Sequence, residues 1–510
     1  MKVFIMKIIN YPYLFILLLI VLLVNNPCFA SNKSVSFSLE AISKNIKSNS
    51  WSIVVPNFLI EKKSHLTLLD GEGHEVNAEF YVAATWGQKP ETIYIRSVII
   101  KAIKAPKIKS KYKLLWSISE ESNLSNQSPQ TSMGYDAKLS ASWLSSTFYA
   151  PVLSINNNKV VPWFDDAYQG YGRTIAKQDA KKQGKGLNRA SIWLYDRTLS
   201  LYLLYLKTGD LKWKKSAHYS ANFYQEHLDK AGGFTLKSGD MKYSNSQGLL
   251  LDYLFYPEQR TLDNIYLMYK KTLIWPVKIK KEGFWTERHH SIALSSVISY
   301  WALTGDTNAS IRIKQLINEM ESFLNVPYNQ NCLQHPFESH EGWDLATAVC
   351  SPWMSALIIE QLWRYHHLTL DFKSIYIIEK LNEFLISRAV FKHIFAHKEV
   401  TAIPKYLVYL SPELNEKEDP WMDYQHACDV ASAIAKGAYA QRILGKDTKQ
   451  TVNILNLMIR SCYRSMYRGH GNRSWPIAPV RKFNWWFSST GSFTWLLRYH
   501  NVSYTPSYTP

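Results

Sequence analysis

Tyr205-Leu206-Lys207-Thr208-Gly209-Asp210 returns ninety-odd residues later as Tyr300-Trp301-Ala302-Leu303-Thr304-Gly305-Asp306. Looser copies are Tyr365-His366-His367-Leu368-Thr369-Leu370-Asp371 and Arg442-Ile443-Leu444-Gly445-Lys446-Asp447. Each phrase closes an apolar, helix-patterned segment and is followed by another, and glycine suits the left-handed position that ends a helix. Upstream of the first copy, Ile192, Tyr195, Leu199, Tyr202, Leu203 and Leu206 share one broad helical face. Repeated helix–turn–helix units imply hairpins that bury their apolar faces against one another.

The helix expected after Glu287 is apolar in nearly every direction, through Ile292, Leu294, Val297, Ile298, Tyr300 and Trp301. A helix of that kind is surrounded by protein. Residues 427–440 read the same way, with Ala431, Ala433, Ala435, Gly437 and Ala438 permitting close helix contact. Buried inner helices with amphipathic outer partners point to a double ring, an (α/α)6 toroid. Residues 146–510 spread over six hairpins give about 60 per hairpin, enough for two helices and their loops. An open solenoid is the alternative.

Ahead of this region the pattern is β. Residues 34–39 alternate polar and apolar, residues 78–86 form a second, looser strand candidate, and residues 92–100 are β-branched and bounded by turn residues. The polar stretch 120–132 reads as a linker or long loop. The expected organisation is a β-sandwich-like domain with linker over 31–145 and the toroid over 146–510.

Residues 1–30 run from Lys2 and Lys7 through the apolar Phe15–Val24 to Asn25-Asn26-Pro27-Cys28-Phe29-Ala30. This basic–apolar–small order reads as a secretory signal peptide, and the apolar run is shorter than the ~20 residues of a membrane span. Export to the periplasm or beyond is therefore expected, with no permanent membrane anchor. The formal charge is +18; without the first thirty residues, 57 basic side chains face 41 acidic ones, or +16. An exported protein this basic attracts polyanions such as acidic polysaccharide, and nucleic acid is not an expected partner. Cys332, Cys350, Cys428 and Cys462 remain, an even count that permits disulfides in an oxidising compartment, with Cys332–Cys350 the favoured pair. No CxxC or HExxH spacing occurs, so neither metal nor other cofactor is expected; no GxSxG elbow occurs either.

Tyr195-Asp196-Arg197 leading into Tyr205–Asp210, together with Ser351-Pro352-Trp353 and Trp343-Asp344, resembles the six-hairpin glycosidase superfamily. That resemblance implies a carbohydrate-active toroid, a glycoside hydrolase or one of the related polysaccharide lyases, preceded in some members by a β domain.

Acid, His, Arg and Trp cluster where inner helices are expected to begin. Trp285–His290 contributes Glu287, Arg288, His289 and His290; residues 340–353 contribute His340, Glu341, Trp343, Asp344 and Trp353. Trp421, Asp423, Tyr424 and His426 follow the cap pair Asp419-Pro420, and Trp163, Asp166 and Tyr168 with Trp485-Trp486 complete the set. If alternate helices run the same way, the clusters meet on one rim. Aromatic faces suit pyranose rings, and hydrolysis needs two carboxyl groups, for which Glu287, Glu341, Asp344 and Asp423 are the candidates, with Asp166 in reserve. For β-elimination on a uronic-acid polymer, Arg288 would neutralise the sugar carboxylate, with His289 or His290 and Tyr195 or Tyr424 moving protons. A glycan-binding protein without catalysis is the third reading. Asp196 falls on the apolar face with Leu199 and Leu203 and is read as structural, with Arg189 or Arg197 as its partner.

Overall fold

A computed structural model describes residues 33–89, 92–119, 121–126, 132–181, 187–278, 287–325, 330–337, 347–395, 398–410, 423–467 and 481–506. The N-terminal part holds β1 (Ser34–Ala41), β2 (Ser50–Val54), β3 (Ser64–Leu69), β4 (Ala78–Lys89), β5 (Thr92–Ala102), β6 (Lys111–Ile118), β7 (Leu124–Ser125) and β8 (Tyr135–Lys138). They form two four-stranded sheets, ordered β3-β6-β1-β8 and β2-β5-β4-β7. The polar stretch read as linker thus contributes β7, which pairs parallel with β4.

The two sheets differ in what covers their outer faces. In β1 and β6, buried Val35, Phe37, Leu39, Tyr112, Leu114 and Trp116 alternate with outward residues that are polar apart from Leu115 and Ile118, the signature of a sheet with one wet face. Strand β2 is buried at every position, and in β5 Ile95–Ile100 are too. Helices cover that second sheet: the Ser52 and Ser97 hydroxyls donate to the carbonyls of Phe255 and Leu254, both at 2.6 Å. Short helix α1 (Ala141–Ser145) leads out of the sandwich, with the Trp143 indole donating back to Val54 O at 2.9 Å.

The rest is mainly helical: α2 (Pro162–Lys181), α3 (Arg197–Thr208), α4 (Leu211–Glu226), α5 (Gln247–Phe255), α6 (Gln259–Thr272), α7 (Glu287–Thr304), α8 (Thr307–Leu324), α9 (Pro352–Thr369), α10 (Phe372–Ser387), α11 (Ala427–Ile443), α12 (Lys449–Tyr467), α13 (Arg481–Ser488) and α14 (Phe493–Tyr499). Short strands β9 (His335–Pro336), β10 (Ala348–Cys350), β11 (Val390–Phe395), β12 (Glu399–Pro404) and β13 (Val408–Tyr409) decorate the loops between them.

The repeated phrases are the hairpin turns. Gly209 at φ 69° and Gly305 at φ 67° end α3 and α7, and Leu370 at φ 60° ends α9 in the same conformation without glycine's freedom. The aspartate that follows caps the next helix: Asp210 accepts from Lys212 N, Asp306 from Ala309 N and Asp371 from Ser374 N. The threonine before each turn takes the N–H of that aspartate at 3.2 Å in all three copies. Asp447 repeats the cap on Lys449 N at 2.9 Å, after Gly445 at φ 70°.

Alternate helices pack side by side, α3 on α5, α5 on α7, α7 on α9, α9 on α11 and α11 on α14, while α13 returns to α3. In α3, α9 and α11 nearly every residue is buried, whereas α4, α6, α8, α10 and α12 keep an exposed face. Disulfides join Cys332 to Cys350 beside β10 and Cys428 to Cys462 across the α11–α12 hairpin. Among the described residues no helix is long and apolar enough to cross a membrane.

Candidate active site

The starts of α3, α7, α9 and α11, together with α13, meet in one aromatic layer. Tyr195, just before α3, stacks on Trp485 of α13 at 5.6 Å and 14°. Trp485 lies 4.0 Å from the His426 ring, and His426 stacks on Trp353 at 5.1 Å and 20°. The Arg288 guanidinium sits 5.5 Å over Trp353. Asp429 fixes the layer from below, accepting from Trp485 Nε1 at 2.9 Å and lying 3.2 Å from His426 Nδ1.

Beside this layer a cleft with about 530 Å³ of empty space, counting the part open to solvent, descends between the inner helices. Its charged lining is Asp196, Lys242, Arg288, Glu360 and Arg364, and Tyr195, Gln247 and Gln361 add polar and aromatic surface. Arg288 Nε has no hydrogen-bond partner among the described residues.

Asp196 sits at the cleft wall because it caps α3. Its Oδ1 accepts from Leu199 N at 2.8 Å, and its Oδ2 accepts from Gly248 N, at the start of α5, also at 2.8 Å. Burial pushes its carboxyl above the usual aspartate range, against the pull of those N–H groups and of Arg364. The helix expected from Ile192 begins only at Arg197, because this capping geometry holds Asp196 extended (φ −68°, ψ 91°). Asp196 therefore does not share a helical face with Leu199 and Leu203, and its hydrogen-bond partners are backbone N–H groups in place of the expected Arg189 or Arg197; Arg189 is exposed.

Glu360 lies deeper, in the third turn of α9. It accepts from Arg364 Nε at 2.8 Å and pairs with Lys436 of α11. Lys436 also donates to Ser432 Oγ at 2.9 Å and Ser489 O at 3.2 Å, and burial lowers its pKa despite Glu360. Phe148 and Tyr149, from the segment after α1, lie about the Arg364 guanidinium at 5.9 and 6.0 Å.

Of the residues expected at the site, Arg288 lines the cleft with part of its surface exposed, whereas Trp353 and His426 are buried within the aromatic layer. Glu287 is tied up: Ser351 N donates to its Oε1 at 3.1 Å, and His335 Nδ1 lies 2.7 Å from its Oε2. Its place is to anchor β9 and the start of α9 on α7. His289 and His290 are buried outside the cleft lining, and burial lowers both pKa values to about 3.

The α2 cluster is a correction. Asp165 pairs with Lys207 at 3.1 Å, near the end of α3 opposite Asp196. Helix α2 runs antiparallel to α3, so its start lies beside the end of α3, away from Asp196. Tyr168 is buried, stacked 3.7 Å from Phe487 with its hydroxyl on Ser200 O. Trp163 is buried with its indole on Tyr504 O, and Asp166 is exposed away from the cleft lining. None of the three is placed to bind a substrate in the cleft. His340, Glu341, Trp343, Asp344 and Trp421 lie outside the described residues, as do the side chains of Asp423 and Tyr424.

Glu360, Gln361, Arg364 and Lys242 were not foreseen. The first three sit mid-helix in an apolar run, where their spacing of three and four residues, one face of a helix, was the available signal. Among the described residues the one group of side chains with metal-ligand spacing is Asp70, Glu72 and His74, on a turn of the sandwich.

No family model matches the chain, and no curated protein matches it. Among solved structures it is similar to the unsaturated glucuronyl hydrolase from Streptococcus agalactiae, with 13% identity and a TM-score of 0.40 over 61% of this chain and 80% of that one. A likeness of that size bears on neither fold nor chemistry.

Proposed function

We propose that the chain is an exported carbohydrate-active enzyme that hydrolyses glycosidic bonds of a polysaccharide in the cleft of an (α/α)6 toroid. The observation that carries the reading is a single cleft lined by a desolvated carboxyl, Asp196, a second carboxylate, Glu360, and a guanidinium, Arg288, beside the aromatic Tyr195. Asp196, biased by burial toward its protonated form, donates its proton to the leaving glycosidic oxygen as that bond breaks. Glu360, held by Arg364 and Lys436, is the second carboxylate: it takes a proton from the water whose oxygen bonds to the anomeric carbon as the glycosidic bond is lost. Tyr195 offers a partly exposed ring face to a pyranose, and Arg288 binds its hydroxyls or a charged substituent.

Two disulfides support an oxidising compartment, in keeping with the basic–apolar–small order of residues 1–30. The competing chemistry is β-elimination, favoured by one observation: Arg288 and Tyr195 line the same cleft. Incubation with acidic and neutral polysaccharides separates the two. Hydrolysis gives reducing ends alone, while elimination also gives an unsaturated product absorbing at roughly 235 nm.

A further inference from the structure

Outside the cleft, the turn between β5 and β6 and the outward face of the sheet β3-β6-β1-β8 carry a row of cations. Residues 101–113 contain six lysines: Lys101, Lys104, Lys107, Lys109, Lys111 and Lys113. Lys101 is neutralised by Glu79 at 2.9 Å. The other five are exposed, and none has an ion-pair partner among the described residues. The turn that presents them is held in place: the Tyr112 hydroxyl takes the Lys107 N–H at 2.8 Å, and Lys109 N–H donates to Leu39 O at 2.9 Å.

Register puts Lys111, Lys113 and Lys138 on one face. Ser38 of β1 pairs with Lys111 on one side and Lys138 on the other, and Ser36 pairs with Lys113. Directly opposed residues of antiparallel strands share a face. Lys111 and Lys113 are therefore about 7 Å apart along β6, and Lys138 lies about 10 Å across from Lys111. Between them the floor is made of Ser36 and Ser38, short hydroxyl side chains that leave the lysines standing above it. The row then runs into a groove where the sheet edge meets the α3–α4 turn, lined by Lys138, Glu40, Asp210, Lys212 and Lys215. There Lys212 pairs with Asp210 at 2.5 Å and Lys215 with Glu40 at 3.7 Å. Lys138, in the same groove as Glu40, has no ion-pair partner among the described residues.

We infer that this face is a second glycan site: a polyanion-binding surface that holds an acidic polysaccharide strand along Lys111, Lys113 and Lys138, outside the cleft. Charge complementarity names the polyanion. The course of the row names its shape: a linear chain bearing carboxylates or sulfates follows lysines into a groove, whereas a flat lipid surface contacts only the turn with exposed Ile103 and Ile108.

The test is affinity electrophoresis of the full chain through gels containing a polyuronate, or neutral dextran, at near-physiological salt. The variants are Lys111→Gln/Lys113→Gln/Lys138→Gln and a charge-matched control, Lys230→Gln/Lys314→Gln/Lys449→Gln, whose lysines are exposed elsewhere. Retardation by polyuronate alone, weakened at least tenfold in the sheet variant and little changed in the control, is the expected result. The salt dependence should become shallower in the sheet variant, as fewer counterions are released. Equal weakening in both variants, or undiminished retardation of the sheet variant, overturns the inference. So does loss of binding to phosphatidylserine vesicles but not to polyuronate in the sheet variant. Asp196→Asn should bind as wild type, so this site stands or falls separately from the cleft.

Discussion

The carboxylate of Asp196 accepts the backbone N–H of Gly248 at 2.8 Å, so one side chain caps its own helix and ties it to the start of the next inner helix. Only glycine permits this approach. A Cβ at position 248 would stand 2.5 Å from Asp196 Oδ1, 2.5 Å from Thr198 Cβ and 2.6 Å from Leu199 N. Two of those atoms belong to groups that cannot swing away. Gly248→Ala should therefore destabilise the protein by about 1–3 kcal/mol and displace Asp196. Activity at a temperature well below unfolding should fall further than stability accounts for; thermal unfolding and kcat measured on the same sample check this.

The sandwich is fastened to the helices by charge. Lys214 of α4 lies 2.7 Å from Asp136 of β8, both are buried, and the Tyr256 hydroxyl donates to the same carboxylate oxygen at 2.7 Å. Lys214→Met leaves Asp136 uncompensated and should cost about 3–5 kcal/mol in chemical unfolding. Adding Asp136→Asn should recover most of the loss. A single variant as stable as wild type would remove the fastening role.

The buried histidines set an acid limit. His289 and His290 have folded pKa values lowered to about 3 by burial. In the unfolded chain they take up protons near ~6.5. Between those values the unfolded state binds more protons, so the stability they contribute is present above the ordinary histidine range and is lost as pH falls toward 3. The unfolding temperature should drop across this window, and His290→Gln should flatten the drop. An equal slope in the variant would assign the acid sensitivity to other groups.

Much of the helical architecture was legible because its signals are local. The Tyr205–Asp210 phrase contains both the left-handed stop of one helix and the aspartate cap of the next, so six residues describe a hairpin. The clusters at Arg288, Trp353 and His426 were legible for a similar reason: Arg288 and Trp353 sit in the first turns of the buried helices α7 and α9, and His426 caps α11. The same reasoning misplaces Trp163, Asp166 and Tyr168, since a helix antiparallel to α3 can begin with the same residue types at the end of α3 far from Asp196. Glu360 and Arg364 lie in a largely apolar stretch and pair with each other along α9, but their further partners, Lys436 of α11 and the Ser488 carbonyl, come only from packing between elements distant in sequence. Periodicity puts Asp196 on the face of Leu199 and Leu203 because a cap and a first-turn residue differ by backbone conformation, which periodicity does not record.

The central claim is that Asp196 gives its proton to a glycosidic oxygen in this cleft. Its most direct test is the release of reducing ends from acidic and neutral polysaccharides, with absorbance at roughly 235 nm followed in parallel, for wild type and Asp196→Asn. Asparagine keeps an acceptor for the N–H of Leu199 but cannot donate as an acid. Wild type should release reducing ends without absorbance, and a folded Asp196→Asn should do so about 10²–10⁴-fold more slowly. Undiminished cleavage by Asp196→Asn, or absorbance rising with the reducing ends, would contradict it.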